Sequence, residues 1–283
     1  MKLLMHIGTH KTATTTFQKL CTDHRNLLST HGINFPNYND WDQHSYAAWT
    51  VQRREISEVR LFLTSIYTDS QKSGCKVTLL SGEDFENFLV DLHLAKEFTE
   101  IALEVGFEDV EWVVVKRDAL DYLKSIYAEH SLTGVVLDYQ VMANSILTCG
   151  YMSTIGPNYN YKFVFDIKKY AQFFKKHVTT KLRVVSFENF IAGFVGKEIL
   201  SDYLPAENID VLQSYANSMQ NLNISRSQRV IEIHYSMSFL GIGYSTLAYD
   251  SNKAIIDGMA MHRLKRNTQL LSSIEQAFAK KFY

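Results

Sequence analysis

Near the start of the chain, Met5-His6-Ile7-Gly8-Thr9-His10-Lys11-Thr12-Ala13-Thr14-Thr15-Thr16 crowds a lysine, two histidines and several threonines into one stretch. Apolar residues (Leu3, Leu4, Met5, Ile7) precede it, and a helix-like pattern (Phe17, Leu20, Cys21, Leu27, Leu28) follows, so the piece reads strand, loop, helix. A helix N-terminus offers unpaired N–H groups and a positive dipole end, and a lysine with hydroxyls adds donors for a phosphate-like anion. A plainer role is open to Thr14–Thr16, which as threonines suit the capping of a helix. Two further strand ends carry chemistry. Lys116-Arg117-Asp118 follows a β-branched run, with Ser125 eight positions beyond Arg117, a little over two helical turns. Ser81-Gly82-Glu83 delivers a carboxylate that could act as a general base beside an anion, while Ser81 with Asp84 also resembles a capping box.

These groups must be held by strands and helices in alternation. Ser45 to Ser70 has helical spacing (Trp49, Ile56, Val59, Phe62, Leu63, Ile66) ended by Gly74, and Cys75 to Leu80 is β-rich. Asp91 to Val105 is amphipathic up to Gly106, Val110 to Val115 reads as a buried parallel strand, and Asp118 to Ser131 is helical again. Further on, Lys162–Asp166 and Leu182–Phe187 read as strands around a helix Ile167–His177, and Ile224–Leu240 and Asn252–Phe282 as terminal helices. This alternation predicts an α/β fold: a mostly parallel central sheet flanked by helices in three layers, with ligands at the carboxyl ends of the strands. No linker, repeat or low-complexity tract interrupts it, so a single domain over 1–283 is expected.

Composition narrows the function classes. Lys and Arg number 29 against 30 Asp and Glu, so no global field favours nucleic acid or an anionic membrane surface, and an anion site must be local. Three widely spaced cysteines (Cys21, Cys75, Cys149) suit neither a disulfide framework nor a C-x-x-C metal motif. No histidine has metal-ligand spacing, and no metal is expected. Apolar runs are far shorter than the roughly 20 residues of a membrane span. The opening residues lack the apolar stretch of a signal peptide, so a cytoplasmic location is expected.

Lys-Thr-Ala-Thr-Thr after the first strand, Ser-Gly-Glu after a middle strand, and Arg with Ser eight residues on together resemble the sulfotransferases that use 3′-phosphoadenosine 5′-phosphosulfate (PAPS). The likeness is to bacterial sulfotransferase-like proteins, in which HIG-x-HKT-[GA]-TT-x-x-Q recurs, Gln18 included. It covers residues 1 to about 130, and farther on Asn223-Ile224-Ser225 with Ser227 is similar to a short N-x-S element. The resemblance implies a P-loop NTPase-like sulfotransferase architecture in which Gly8, Thr9, His10, Lys11, Thr12, Ala13, Thr14 and Thr15 bind the 5′-phosphosulfate. Arg117 and Ser125 would bind the 3′-phosphate. It further implies in-line transfer of a sulfuryl group to a hydroxyl or amine, with adenosine 3′,5′-bisphosphate (PAP) as product. Lys11 would stabilise charge on the leaving phosphate, and Glu83, or in second place His44, would act as base. The acceptor would be a small molecule or glycan, with carbohydrate, phenolic and lipid pockets all open to so aromatic a chain. Two departures stand out. Ala13 replaces the usual glycine, which requires that it avoid a positive φ. The C-terminal R-K-G-x-x-G-D-W-K stretch has no copy, leaving Arg226, Lys265 and Arg266 as candidates for the remaining contacts.

Two rival readings belong to other classes. A degenerate P-loop kinase or NTPase would bind ATP with magnesium, but Lys11 lacks the glycine that precedes the lysine of a Walker A motif. A non-catalytic nucleotide-binding protein would hold PAP without turnover and would have no need of Glu83.

Overall fold

The computed structural model describes residues 1–38, 42–156, 160–218 and 226–282. Its strands are β1 (Lys2–His6), β2 (Ile33–Asn34), β3 (Val77–Ser81), β4 (Asp109–Lys116), β5 (Tyr151–Ile155), β6 (Asn160–Val164) and β7 (Lys181–Ser186). Five of them form one parallel sheet in the order β2-β3-β1-β4-β7. Helices α1 (Thr14–Asp23), α2 (Arg25–Thr30), α3 (Ser45–Gln52), α4 (Ile56–Lys72) and α5 (Leu92–Val105) precede α6 (Ala119–Leu132) and α7 (Tyr139–Cys149). Then come α8 (Ile167–His177), α9 (Phe187–Ile191), α10 (Lys197–Leu200), α11 (Ala206–Ser218), α12 (Gln228–Phe239) and α13 (Thr246–Phe282). Contacts divide the chain into two units, Met1–Arg117 with Ser153–Gln220 and Asp118–Met152 with Asn221–Tyr283.

In the first unit the central strands alternate apolar residues to both faces, as a sheet covered on both sides requires. Leu4, Leu79, Val113 and Val115 join a cluster with Phe17, Leu20 and Phe190, from α1 and α9. Trp112, fully buried, faces the other way into Phe85, Phe88, Phe98 and Phe174. The chain is therefore α/β, with a parallel five-stranded sheet flanked by helices. Register places His6 opposite Ser81 on β3 and Val113 on β4, so the carboxyl ends of the three central strands lie side by side.

Four elements differ from the sequence reading. The stretch Ser45–Ser70 is two helices, because Arg54 takes a left-handed φ of 63° and Glu55 N–H turns back to Thr50 O at 3.0 Å. The strand read at Lys162–Asp166 exists as β6 but stays out of the central sheet and, among the described residues, pairs with β5. Its other edge is served by side chains of the 3-10 turn Glu83–Leu89. Asn87 accepts from Lys162 N–H at 2.7 Å and donates to Asn160 O at 2.8 Å, and Glu86 accepts from Val164 N–H. The first terminal helix starts at Gln228, capped by Ser227 Oγ on Val230 N–H, and the last starts earlier than expected, at Thr246. The Asn223-Ile224-Ser225 element lies outside the described residues.

The second unit is helical. Along the 37 residues of α13, Ile256, Ala260, Arg263, Asn267, Ile274 and Phe278 are buried at spacings that select one face. The core of this unit includes a charged knot. Arg263 donates to Glu232 at 3.1 Å and to the Tyr127 hydroxyl at 2.9 Å, while Asn267 and Gln228 donate to the same carboxylate at 2.9 and 2.8 Å. The guanidinium also lies 3.4 Å from the centroid of the Tyr235 ring. Glu232 is fully buried, and these donors satisfy a charge that would otherwise be costly there. No described helix is long and apolar enough to cross a membrane.

Candidate functional site

The opening loop leaves β1 and continues alongside β4 before turning into α1. Ile7 N–H donates to Val113 O at 2.9 Å, Val115 N–H to Gly8 O at 2.5 Å, and Thr9 N–H to Val115 O at 3.3 Å. Two of the threonines serve the loop itself. Thr9 Oγ1 donates to Val115 O at 3.2 Å and Thr12 Oγ1 donates to Thr9 O, and both residues are buried. Gly8 has φ 86°, and a Cβ there would stand 3.2 Å from His10 N and 3.3 Å from Glu83 Cα. Glycine is thus needed both for the backbone angle and for the close approach of Glu83.

Past Gly8 the loop takes two left-handed residues, Lys11 (φ 57°) and Ala13 (φ 60°). The expectation that Ala13 avoids a positive φ is therefore overturned: the alanine adopts the angle for which a glycine is normally used. Its neighbours hold it there, since Ala13 O already accepts the first helical bond, from Phe17 N–H at 3.1 Å. Ala13 is also the N-cap of α1, so no side chain caps this helix. The capping role open to Thr14–Thr16 is not the one the structure uses, and the N–H groups of the first turn keep the donor character of an uncapped N-terminus. Thr14 is buried and Thr15 exposed.

The other two strand ends reach this loop in different ways. Arg117 Nη1 donates to the Lys11 carbonyl at 2.5 Å, and its guanidinium carbon lies 5.1 Å from the centroid of the Phe187 ring. Ser125 is half-buried on α6, in the second unit. Glu83 opens the 3-10 turn, half-buried, and its Oε2 accepts from Gln18 Nε2 at 3.4 Å. Gln18 also donates to Ser81 Oγ at 3.2 Å, which explains a glutamine buried on the second turn of α1. Ser81 does not form the expected capping box with Asp84. It is the last residue of β3, its hydroxyl is engaged with His6 and Gln18, and Gly82 stands as the uncapped N-cap.

The histidines have separate fates. His44 is buried, its Nε2 donates to Pro36 O at 3.0 Å, and its Nδ1 accepts from Ser81 N–H at 3.0 Å. Burial pushes it down to about 4, against the pull of the backbone carbonyls it faces, so it is a neutral brace with both ring nitrogens engaged. His6 sits between Phe17 and Phe190, with Nδ1 2.8 Å from Ser81 Oγ, and burial lowers it to about 3. His10 goes the other way. Burial opposes its charge, but Asp84 and Glu86 outweigh burial and raise it well above its usual value. Its Nδ1 lies 2.7 Å from Glu86 Oε2, and its Nε2 3.7 Å from Asp84 Oδ1. The two carboxylates therefore favour the charged form of the His10 ring, next to Lys11 in the loop.

Glu86 and His6 carried no assignment from sequence, and Asp84 was read only as a capping residue. The signal for Glu86 and Asp84 was the acidic run Glu83-Asp84-Phe85-Glu86, which shows its meaning only once the turn is folded against the loop. Arg266 donates to Asp138 within the second unit, and Arg226 and Lys265 are both exposed. Among the described residues no group of His, Cys, Asp and Glu is placed to hold a metal ion. Cys21, Cys75 and Cys149 are in no disulfide, and burial raises the Cys21 thiol. Comparisons with protein-family models, with curated proteins and with solved structures return no match to this chain.

Proposed function

We propose that this chain is a PAPS-dependent sulfotransferase with a P-loop-type architecture, transferring a sulfuryl group to a hydroxyl or amine. The observation that carries the reading is the opening loop. Lys11 and the uncapped start of α1 follow the carboxyl end of the central strand β1, and a carboxylate, Glu83, is packed against Gly8 of the same loop. Donors gathered at one helix start suit a group that develops negative charge, and a carboxylate beside them suits removal of a proton.

In this mechanism the acceptor oxygen or nitrogen attacks sulfur, and the bond from sulfur to the 5′-phosphate oxygen breaks in line with it. Lys11 and the loop N–H groups stabilise the charge that collects on the leaving phosphate. Glu83 takes the acceptor's proton, and PAP departs. Arg117 and Ser125 are assigned to the 3′-phosphate by the family pattern alone. An ATP–magnesium site is the weaker reading, because two of the three carboxylates next to the loop, Asp84 and Glu86, are committed to His10. Three cysteines outside any disulfide fit a reducing, cytoplasmic setting.

The test is transfer from labelled PAPS to a panel of saccharide, phenolic and lipid acceptors. Lys11→Ala should abolish transfer with the fold intact. Glu83→Gln should keep PAP binding and lower turnover by about 10²- to 10⁴-fold, the usual contribution of a general base. Unchanged turnover in Glu83→Gln would remove Glu83 from the mechanism.

A further inference from the structure

Lys11 and Ala13 occupy backbone conformations that L-residues hold only when their surroundings impose them. On one side of Lys11 the imposing group is Arg117, which holds the Lys11 carbonyl. On the other side it is Glu86. This carboxylate is fully buried, and its Oε2 accepts both the backbone N–H of His10 at 2.9 Å and the ring Nδ1–H of His10 at 2.7 Å. Its Oε1 accepts Val164 N–H at 2.5 Å. One side chain thereby ties the residue preceding Lys11 to β6. The His10 ring is further bounded by Phe163, edge-on with centroids 5.0 Å apart, and by Tyr161 at 6.3 Å.

We propose that Glu86 is a positioning residue for the opening loop, acting through an imidazolium at His10 to set where Lys11 and the following N–H groups stand. The nature of the anion they meet rests on the sulfotransferase reading; the clamp itself does not. The charge arithmetic favours a cationic ring. The 3-10 turn presents Glu83, Asp84 and Glu86 to this end of the loop, the loop offers His10 and Lys11, and β6 offers the Tyr161 and Phe163 rings. With His10 protonated, its charge offsets a buried carboxylate that would otherwise repel an incoming anion. With His10 neutral, Asp84 and Glu86 face an uncharged ring and the clamp loosens. Because the folded value of His10 is raised, the hold is complete below the ordinary 6.5 and is lost as pH rises through the folded value.

The experiment compares the full chain with Glu86→Gln and His10→Gln. Three quantities are read: the titration of the His10 ring by nitrogen-detected NMR, hydrogen exchange of amides 8–13, and the affinity for adenosine 3′,5′-bisphosphate from pH about 6 to about 10. In the unaltered protein His10 should stay protonated through neutral pH, and affinity should fall on the alkaline side. Glu86→Gln should lower the His10 titration, speed exchange of the loop, and weaken bisphosphate binding roughly tenfold or more, because small displacements of a charged ligand group are strongly felt. His10→Gln should flatten the pH profile. Loop exchange and a His10 titration in Glu86→Gln that match the unaltered protein would overturn the proposal. Should Glu86→Gln fail to fold, His10→Gln decides it: loop exchange and a pH profile like those of the unaltered protein would equally overturn it. If the unaltered protein binds no bisphosphate at any pH, the donor assignment falls, and the exchange and titration results still decide for or against the clamp.

Discussion

Ala13 carries the sharpest conflict between residue type and backbone in the molecule. A left-handed φ at alanine costs about 1–2 kcal/mol, whereas glycine there would cost about 0.5–1 kcal/mol in extra unfolded-state entropy. Ala13→Gly should therefore stabilise the protein by roughly 0.5–1 kcal/mol, raising Tm by about 1–3 °C in a chain of this size. A lower Tm by differential scanning calorimetry would contradict the observed φ. At this scale the sequence disclosed what residue type alone can disclose. Gly8 announces its backbone freedom, while Lys11 and Glu83 announce only a cation and a carboxylate near one loop. Their supports were hidden because they come from far along the chain: Glu86 meets His10 across 76 positions, and His44 meets Ser81 across 37. A histidine in a polar, aromatic segment looks the same in sequence whether it is a base or a brace. Only burial and two backbone partners mark His44 as the second.

Elements were legible where one periodicity ran unbroken. The strand at Val110–Val115 and the helix that ends at Gly106 appear within a residue or two of their expected places, since β-branched runs and a positive-φ glycine (φ 125°) encode them locally. Sheet membership was not legible in the same way. The β6 segment has a strand's composition, yet side chains of Glu86 and Asn87 serve its edge in place of another strand. The helix α13 shows the same limit, because its buried face includes Arg263 and Asn267, which read as solvent-facing in sequence. Burial separates two arginines that are nearly adjacent there. Arg263→Met strands the fully buried Glu232 and should cost about 3–5 kcal/mol. Arg266→Met removes a half-exposed pair with Asp138 and should cost less than about 1 kcal/mol. Urea unfolding of both variants checks this ordering, and similar losses would mean that the charged knot of the second unit is not closed to water.

At the scale of the whole chain, the α/β layout was readable from alternation, while the division into two units was not. The first unit is left directly after Arg117, where β4 ends and Asp118 caps α6, and is re-entered within β5, so no proline- or glycine-rich linker marks either passage. The near-neutral charge of the molecule likewise hides a local arrangement in which His10, Lys11 and Arg117 gather with Glu83, Asp84 and Glu86 around one loop. That loop is the centre of the account, and the question it poses is whether it takes the proposed nucleotide. Isothermal titration of the full chain with adenosine 3′,5′-bisphosphate, and separately with ATP and magnesium, addresses it most directly. The bisphosphate should bind without metal, and Lys11→Ala should weaken it about ten- to a hundredfold, the worth of one charge-assisted hydrogen bond. Binding of ATP with magnesium and none of the bisphosphate would contradict the assignment.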